Sequence, residues 1–209
     1  MPKDLLKGSF VNSAYQLPKS GHITTVHRDL RSDVHRFRNE MLRLESELPN
    51  QFIFEAGSIS PELMHAVETK QSSQSYSRAV QIYALLAVEA LLNEYGYLRF
   101  GPETFEKKFA RAPISTKLIE MMSLAFAAPF DDNCEIVSIL KSLAHRRNRH
   151  VHLRPEIGSW DAEAGSISSN NRLPATDAKS ATAAAEEMET FFKLFSELDS
   201  EAAFMLGIP

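Results

Sequence analysis

The chain is 209 residues long, with 44% hydrophobic and 24% charged side chains, enough to bury one good core and too little for two comfortable ones. Its formal charge of −4 excludes a uniformly cationic surface, so any nucleic-acid contact has to come from a local patch. The longest apolar run, 82–92, is broken by Glu89 and falls far short of the roughly 20 residues a membrane span needs, and one cysteine, Cys134, supplies neither an internal disulfide nor a thiolate metal set.

The first residues, Met1 to Lys7, lack the apolar stretch and small-residue cleavage site of a secretory signal. A cytoplasmic protein without membrane association is expected. Residues 1–20 read as an N-terminal extension and 21–206 as a single helical domain. Apolar residues at Ile23, Val26, Leu30, Val34, Phe37, Met41, Leu44 and Leu48 alternate steps of three and four, which predicts an amphipathic helix of nearly heptad spacing. Pro49 and Asn50 end it, and Phe52, Ile53 and Phe54 predict a short extended or looped segment.

Ser60-Pro61-Glu62 is a helix opening: a serine that caps orphan amides, proline at the first helical position, and an acid near the positive end of the dipole. The helix it starts is expected to be interrupted near 71–75, where polar residues of modest propensity cluster, and to stop at Gly96. From Ala84 to Leu92 it is apolar on nearly every side, so it should be the central buried helix. Glu89 is the exception. A buried carboxylate needs a partner; Asn93, one turn on, shares its face, and Arg147 is the candidate cation.

Short helices are predicted over 102–110 and 114–127. Asp131, Asp132 or Asn133 then caps a helix whose apolar residues are Ile136, Ile139, Leu140 and Leu143, and four residues further that face reaches Arg147. Residues 153–174 lose periodicity and read as a mobile loop with no strand. Asp177 or Thr176 opens the last helix, packed through Phe191, Phe192, Leu194, Phe195 and Leu198 and rich in acids. The fold class is therefore all-α, a compact bundle of about five to seven helices.

One local patch is strongly basic. Lys141, Arg146, Arg147, Arg149 and Arg154 stand with His145, His150 and His152, and no acid lies among them. Within it, 147–152 combines what RNA cleavage without a metal requires. The RNA brings its own nucleophile, the 2′-hydroxyl, so the protein supplies proton transfer and stabilises charge at phosphorus. Histidine suits the first task and the planar arginine fork the second. On a helix Asn148 and His152 share a face at i and i+4, with Arg147 about 100° round. His150 projects elsewhere on this reading. Lys141, Arg146, Arg149 and His150 are candidates for binding nucleic acid.

An arginine, a polar residue, three further positions and then a histidine, here Arg147, Asn148 and His152, resembles the active-site motif of HEPN domains. The alanine- and leucine-rich stretch from Ala84 to Asn93, including Glu89, is similar to that family's central helix. The resemblance implies a helical bundle, a symmetric homodimer with two motifs facing a cleft, metal-independent endoribonuclease activity with no cofactor, and a role as a toxin or antiviral defence effector with an antitoxin or other partner protein. Arg147, Asn148 and His152 would be catalytic, with Glu89 and Asn93 supporting them.

Two other designs compete. For a metal hydrolase, His145, His150 and His152 lack the i,i+4 pairing that gathers zinc ligands on a helix, so no metal is expected. A non-catalytic helical module is the serious alternative, with Arg147 closed onto Glu89 and the basic stretch holding nucleic acid or a partner protein. The two differ in whether a phosphate can reach Arg147.

Overall fold

The three-and-four spacing of apolar residues is realised as seven helices among the residues that the computed structural model describes, 26–49, 60–151, 159–161, 166–168 and 177–208. They are α1 Val26–Glu47, α2 Pro61–Phe100, α3 Pro102–Lys108, α4 Ile114–Phe126, α5 Glu135–Val151, α6 Ala178–Leu198 and α7 Ser200–Leu206. Two short antiparallel strands, β1 Ser159–Asp161 and β2 Ser166–Ser168, pair through Trp160 and Ile167. Part of the region read as a loop thus forms paired strands, each of three residues and too short to carry a visible alternation. The segments 1–20 and 52–54 lie outside the described residues. Among the described residues no helix is long and apolar enough to cross a membrane.

α2 is the axis of the bundle. Ser60 caps it by accepting a hydrogen bond from the Leu63 amide at 3.2 Å, with Pro61 in its first turn. It then runs unbroken for 40 residues, through both expected interruptions. At 71–75 the serines find partners without leaving the helix. Ser73 Oγ donates to Glu45 of α1 and Ser75 Oγ to the Gln71 carbonyl at 2.9 Å. Their small size also explains the tolerance: Ala66, Thr69, Ser73 and Ser77 form a buried stripe against which α1 lies closely. Gly96 does not stop the helix. The space a side chain would occupy there is filled by the Phe105 ring of α3, and Gly101, at φ 77°, makes the turn instead.

α1 runs antiparallel to α2, since Glu45 meets Lys70 and Ser73, Phe37 meets Tyr76 and Tyr83, and His27 meets Glu94. α6 runs parallel to α2: Ser77 Oγ donates to the Asp177 carbonyl at 3.1 Å, and the Tyr95 and Phe195 rings meet edge to face at 5.1 Å. The core between these helices is apolar and fully buried, with Val88, Leu91, Leu92, Tyr95, Leu140, Leu143, Met188, Phe191 and Phe195 at its centre. Asp177 caps α6 by accepting from the Ser180 amide at 2.7 Å, and Asp199 breaks off α7, accepting from the Ala202 amide at 2.9 Å.

Candidate functional site

α5 begins later than the acidic turn before it suggests. Asp131 accepts from the Asn133 amide at 2.9 Å and shapes that turn, but the residue preceding the helix is Cys134, whose carbonyl accepts from the Ser138 amide at 3.1 Å. Burial pushes the Cys134 thiol up, against backbone amides of the first turn that pull it down. From there Ile136, Val137, Leu140 and Leu143 drive α5 into the groove between α2 and α6. The helix runs through Arg147, Asn148, Arg149 and His150 to Val151. His152 lies outside the described residues.

The basic stretch is sorted by the fold into three kinds of residue. Arg146 is a tie: its Nε and Nη2 donate to Glu187 of α6 at 3.2 and 3.0 Å, and Ser142 Oγ donates to the same carboxylate. The acids of the last helix are therefore neighbours of the cations, since Glu189 similarly receives Arg31 and His35 of α1. His150 is buried, not projecting from the patch. It follows Leu143 by seven residues, which returns it to nearly the same side of the helix. Burial pushes its imidazole below the ordinary histidine range, and the charges of Arg78 and Arg149 push the same way.

The third kind faces outward. Arg147 is half-buried and Asn148 exposed on the last turn of α5, where Arg147 Nη1 donates to Asn148 Oδ1 at 3.1 Å. The bond uses one N–H of the fork and the oxygen of the Asn148 amide. Lys141 and Arg149 are exposed, with Lys141 Nζ donating to the Asp132 carbonyl at 3.2 Å.

Glu89 and Asn93 belong to a different place. Among the described residues no ion pair joins Glu89 to Arg147. Glu89 is half-buried, and the cation whose charge it faces is Lys117 of α4. Lys117 Nζ donates to Asn93 Oδ1 at 2.7 Å and lies 5.5 Å from the centre of the Phe105 ring. Burial pushes the Lys117 ammonium down, and Glu89 and Glu106 pull it back up. The supporting pair therefore serves the junction of α2 and α4, not the last turn of α5.

Two residues absent from the sequence reading matter here. Lys117 escaped because it sits on the inward side of an otherwise ordinary helix start. Arg78 escaped because its charge acts on His150 only through the fold, the two residues being far apart in sequence. Among the described residues no group of three or more His, Cys, Asp or Glu is placed to hold a metal ion. Comparisons with protein families, with curated proteins and with solved structures found no match to this chain.

Proposed function

We propose that the chain is a metal-independent endoribonuclease of the HEPN type, acting as a homodimer on RNA. One observation carries the reading: half-buried Arg147 lies on the last turn of α5, where among the described residues its side chain bonds its neighbour Asn148 and enters no ion pair. A scaffold arginine on this face would be expected to close onto a carboxylate. An arginine held by an amide, with the rest of its fork available, is suited to phosphate oxygens.

The chemistry follows from RNA itself. The 2′-oxygen attacks the adjacent phosphorus, a new P–O2′ bond forms, and the P–O5′ bond breaks. The proton of the 2′-hydroxyl passes to a base, and the departing 5′-oxygen takes one from an acid. His152 is assigned the proton transfer, Arg147 the charge on the non-bridging oxygens, and Asn148 the orientation of Arg147. A toxin or defence role, restrained by an antitoxin or other partner protein, fits an enzyme of this kind.

The test is incubation of the protein and its His152→Ala variant with mixed RNA in EDTA, followed by end-group analysis. Cleavage by the parent alone, leaving 2′,3′-cyclic phosphate or 3′-phosphate and 5′-hydroxyl ends, is expected. Identical behaviour of the two proteins would remove the catalytic assignment, and RNA retained without cleavage would mark a helical binding module instead.

A further inference from the structure

Ser32, Arg36, Asn39 and Arg43 follow one another along α1 at steps of four, three and four, and each is exposed, so they form one outward stripe of the helix. The stripe lines a groove of about 900 Å³, within the roughly 300–1,000 Å³ that small-molecule sites occupy. Phe37 and Tyr76 of α2 line it as well. Their ring centres are 6.0 Å apart and both side chains are half-buried, so part of an aromatic surface is left to the groove.

His35 lines the same groove and is held from α6. Its Nε2 donates to Glu189 at 2.8 Å, and that carboxylate is itself fixed by Arg31, whose Nε donates to it at 2.8 Å. With the hydrogen on Nε2, the ring's Nδ1 is an acceptor. The cations of the stripe are answered within α1, Arg36 by Asp33 at 2.8 Å and Arg43 by Glu40 and Glu47. The groove therefore has no cationic surplus to draw in a polyanion. It offers ring surface and neutral polar groups instead: among the described residues, neither the Ser32 hydroxyl nor the Asn39 amide has a hydrogen-bond partner.

We propose that this groove binds a nucleoside, with the base against Tyr76 and Phe37, the base edge on Asn39, and the ribose hydroxyls on His35 Nδ1 and Ser32. A nucleobase is a flat ring with donors and acceptors along its edge, and aromatic side chains with a polar group at that edge are what such rings bind. The asparagine amide matches adenine, donating to a ring nitrogen and accepting from the amino group, so adenosine fits best. An acidic peptide would meet arginines that are already paired and would leave the rings unused. Cleavage at Arg147 plays no part in this binding, and the nucleoside comes either free or as one residue of an RNA strand.

The experiment is isothermal titration calorimetry of the full chain with adenosine, AMP, inorganic phosphate and a 2′-O-methyl oligoadenylate, which cannot be cleaved. Saturable binding of adenosine, matched by AMP within a few-fold and absent for phosphate, is the result for a free nucleoside. Binding of the oligonucleotide without adenosine is the result for a strand. In either case Asn39→Ala and Tyr76→Ala should each weaken the ligand roughly tenfold. Tyr76→Phe keeps the ring and should keep the affinity, and Lys193→Ala, which does not line the groove, should change nothing. Tyr76 also packs on Phe37, so the denaturant midpoint of its alanine variant is measured alongside. Asn39 is exposed and carries the test even where Tyr76→Ala does not fold. A parent that binds neither adenosine nor the oligonucleotide, binding that Asn39→Ala leaves intact, or phosphate bound as tightly as AMP would each overturn the assignment.

Discussion

Arg146 and Glu187 form a forked ion pair between α5 and α6, and the Ser142 hydroxyl, one turn earlier on α5, donates to the same carboxylate. Charge-assisted forks of this kind hold two helices in register as well as attracting them. With the two side chains 27% and 25% exposed, solvent screens part of the attraction. Arg146→Ala is therefore expected to cost about 1 kcal/mol in urea denaturation. Because Arg146 is spent on Glu187, the same substitution should leave the salt dependence of oligonucleotide binding unchanged. A fall in that salt dependence would return Arg146 to the nucleic-acid surface.

Gly96 and Phe105 make the second contact that a substitution can read. A Cβ at position 96 would fall 2.6 Å from Phe105 Cε2 and 3.1 Å from Met121 Sδ. Alanine in a helix interior normally gains about 1 kcal/mol over glycine. Here the Phe105 ring is held by Tyr97 at 4.6 Å and by Phe109 at 6.3 Å, so it has little room to yield. Overpacking, at about 1–3 kcal/mol, should outweigh the propensity gain. Gly96→Ala should lower Tm by a few degrees, about 2–4 °C for each kcal/mol lost in a chain of this size. An unchanged or raised Tm would mean that α3 moves freely relative to α2.

His150 makes stability depend on pH. Burial, then Arg78 and Arg149, hold its folded imidazole below the ordinary value of 6.5. Between the two values the unfolded chain binds a proton that the folded chain refuses. The group's contribution therefore rises with pH across the window just below 6.5, is lost as the solution is acidified through it, and is flat on either side. His150→Leu should remove this part of the slope, read as the difference between parent and variant in denaturant midpoint at a pH above the window and one below it. Equal slopes would mean that the ring is solvated in solution.

The helices were legible in the sequence wherever their apolar residues recur with a helical period. α1, α5 and α6 follow directly from it, and Ser60, Pro61 and Asp177 mark two of the starts. What failed were inferences from local propensity. Gln71 to Ser75 and Gly96 read as breaks, because propensity does not register that small residues are what lets α1 and Phe105 approach α2. The candidate site was legible as a segment but not as a geometry. The seven-residue step from Leu143 to His150 was available to show that His150 turns inward. The closure of Arg146 onto Glu187 and the influence of the Arg78 charge on His150 depend on which helices become neighbours, and no local pattern encodes that.

Lys117 and Asn93 test how the junction of α2 and α4 is held. The lysine is 2% exposed, and a buried ammonium is tolerated only with a close acceptor and favourable surroundings. Asn93 Oδ1 at 2.7 Å is that acceptor, with the Phe105 face and the charges of Glu89 and Glu106 beyond it. Removing the acceptor and removing the charge should therefore differ. Asn93→Ala leaves the ammonium in place without its hydrogen bond and is expected to cost about 1–3 kcal/mol. Lys117→Met keeps the apolar stem and eliminates the charge, while half-buried Asn93 can turn to water, so it should stay within about 1 kcal/mol of the parent. Chemical denaturation of the two variants and the double variant decides the matter. In the double variant most of the Asn93→Ala penalty should vanish, because there is no longer a charge to strand. Additive losses would instead assign Asn93 a role independent of Lys117.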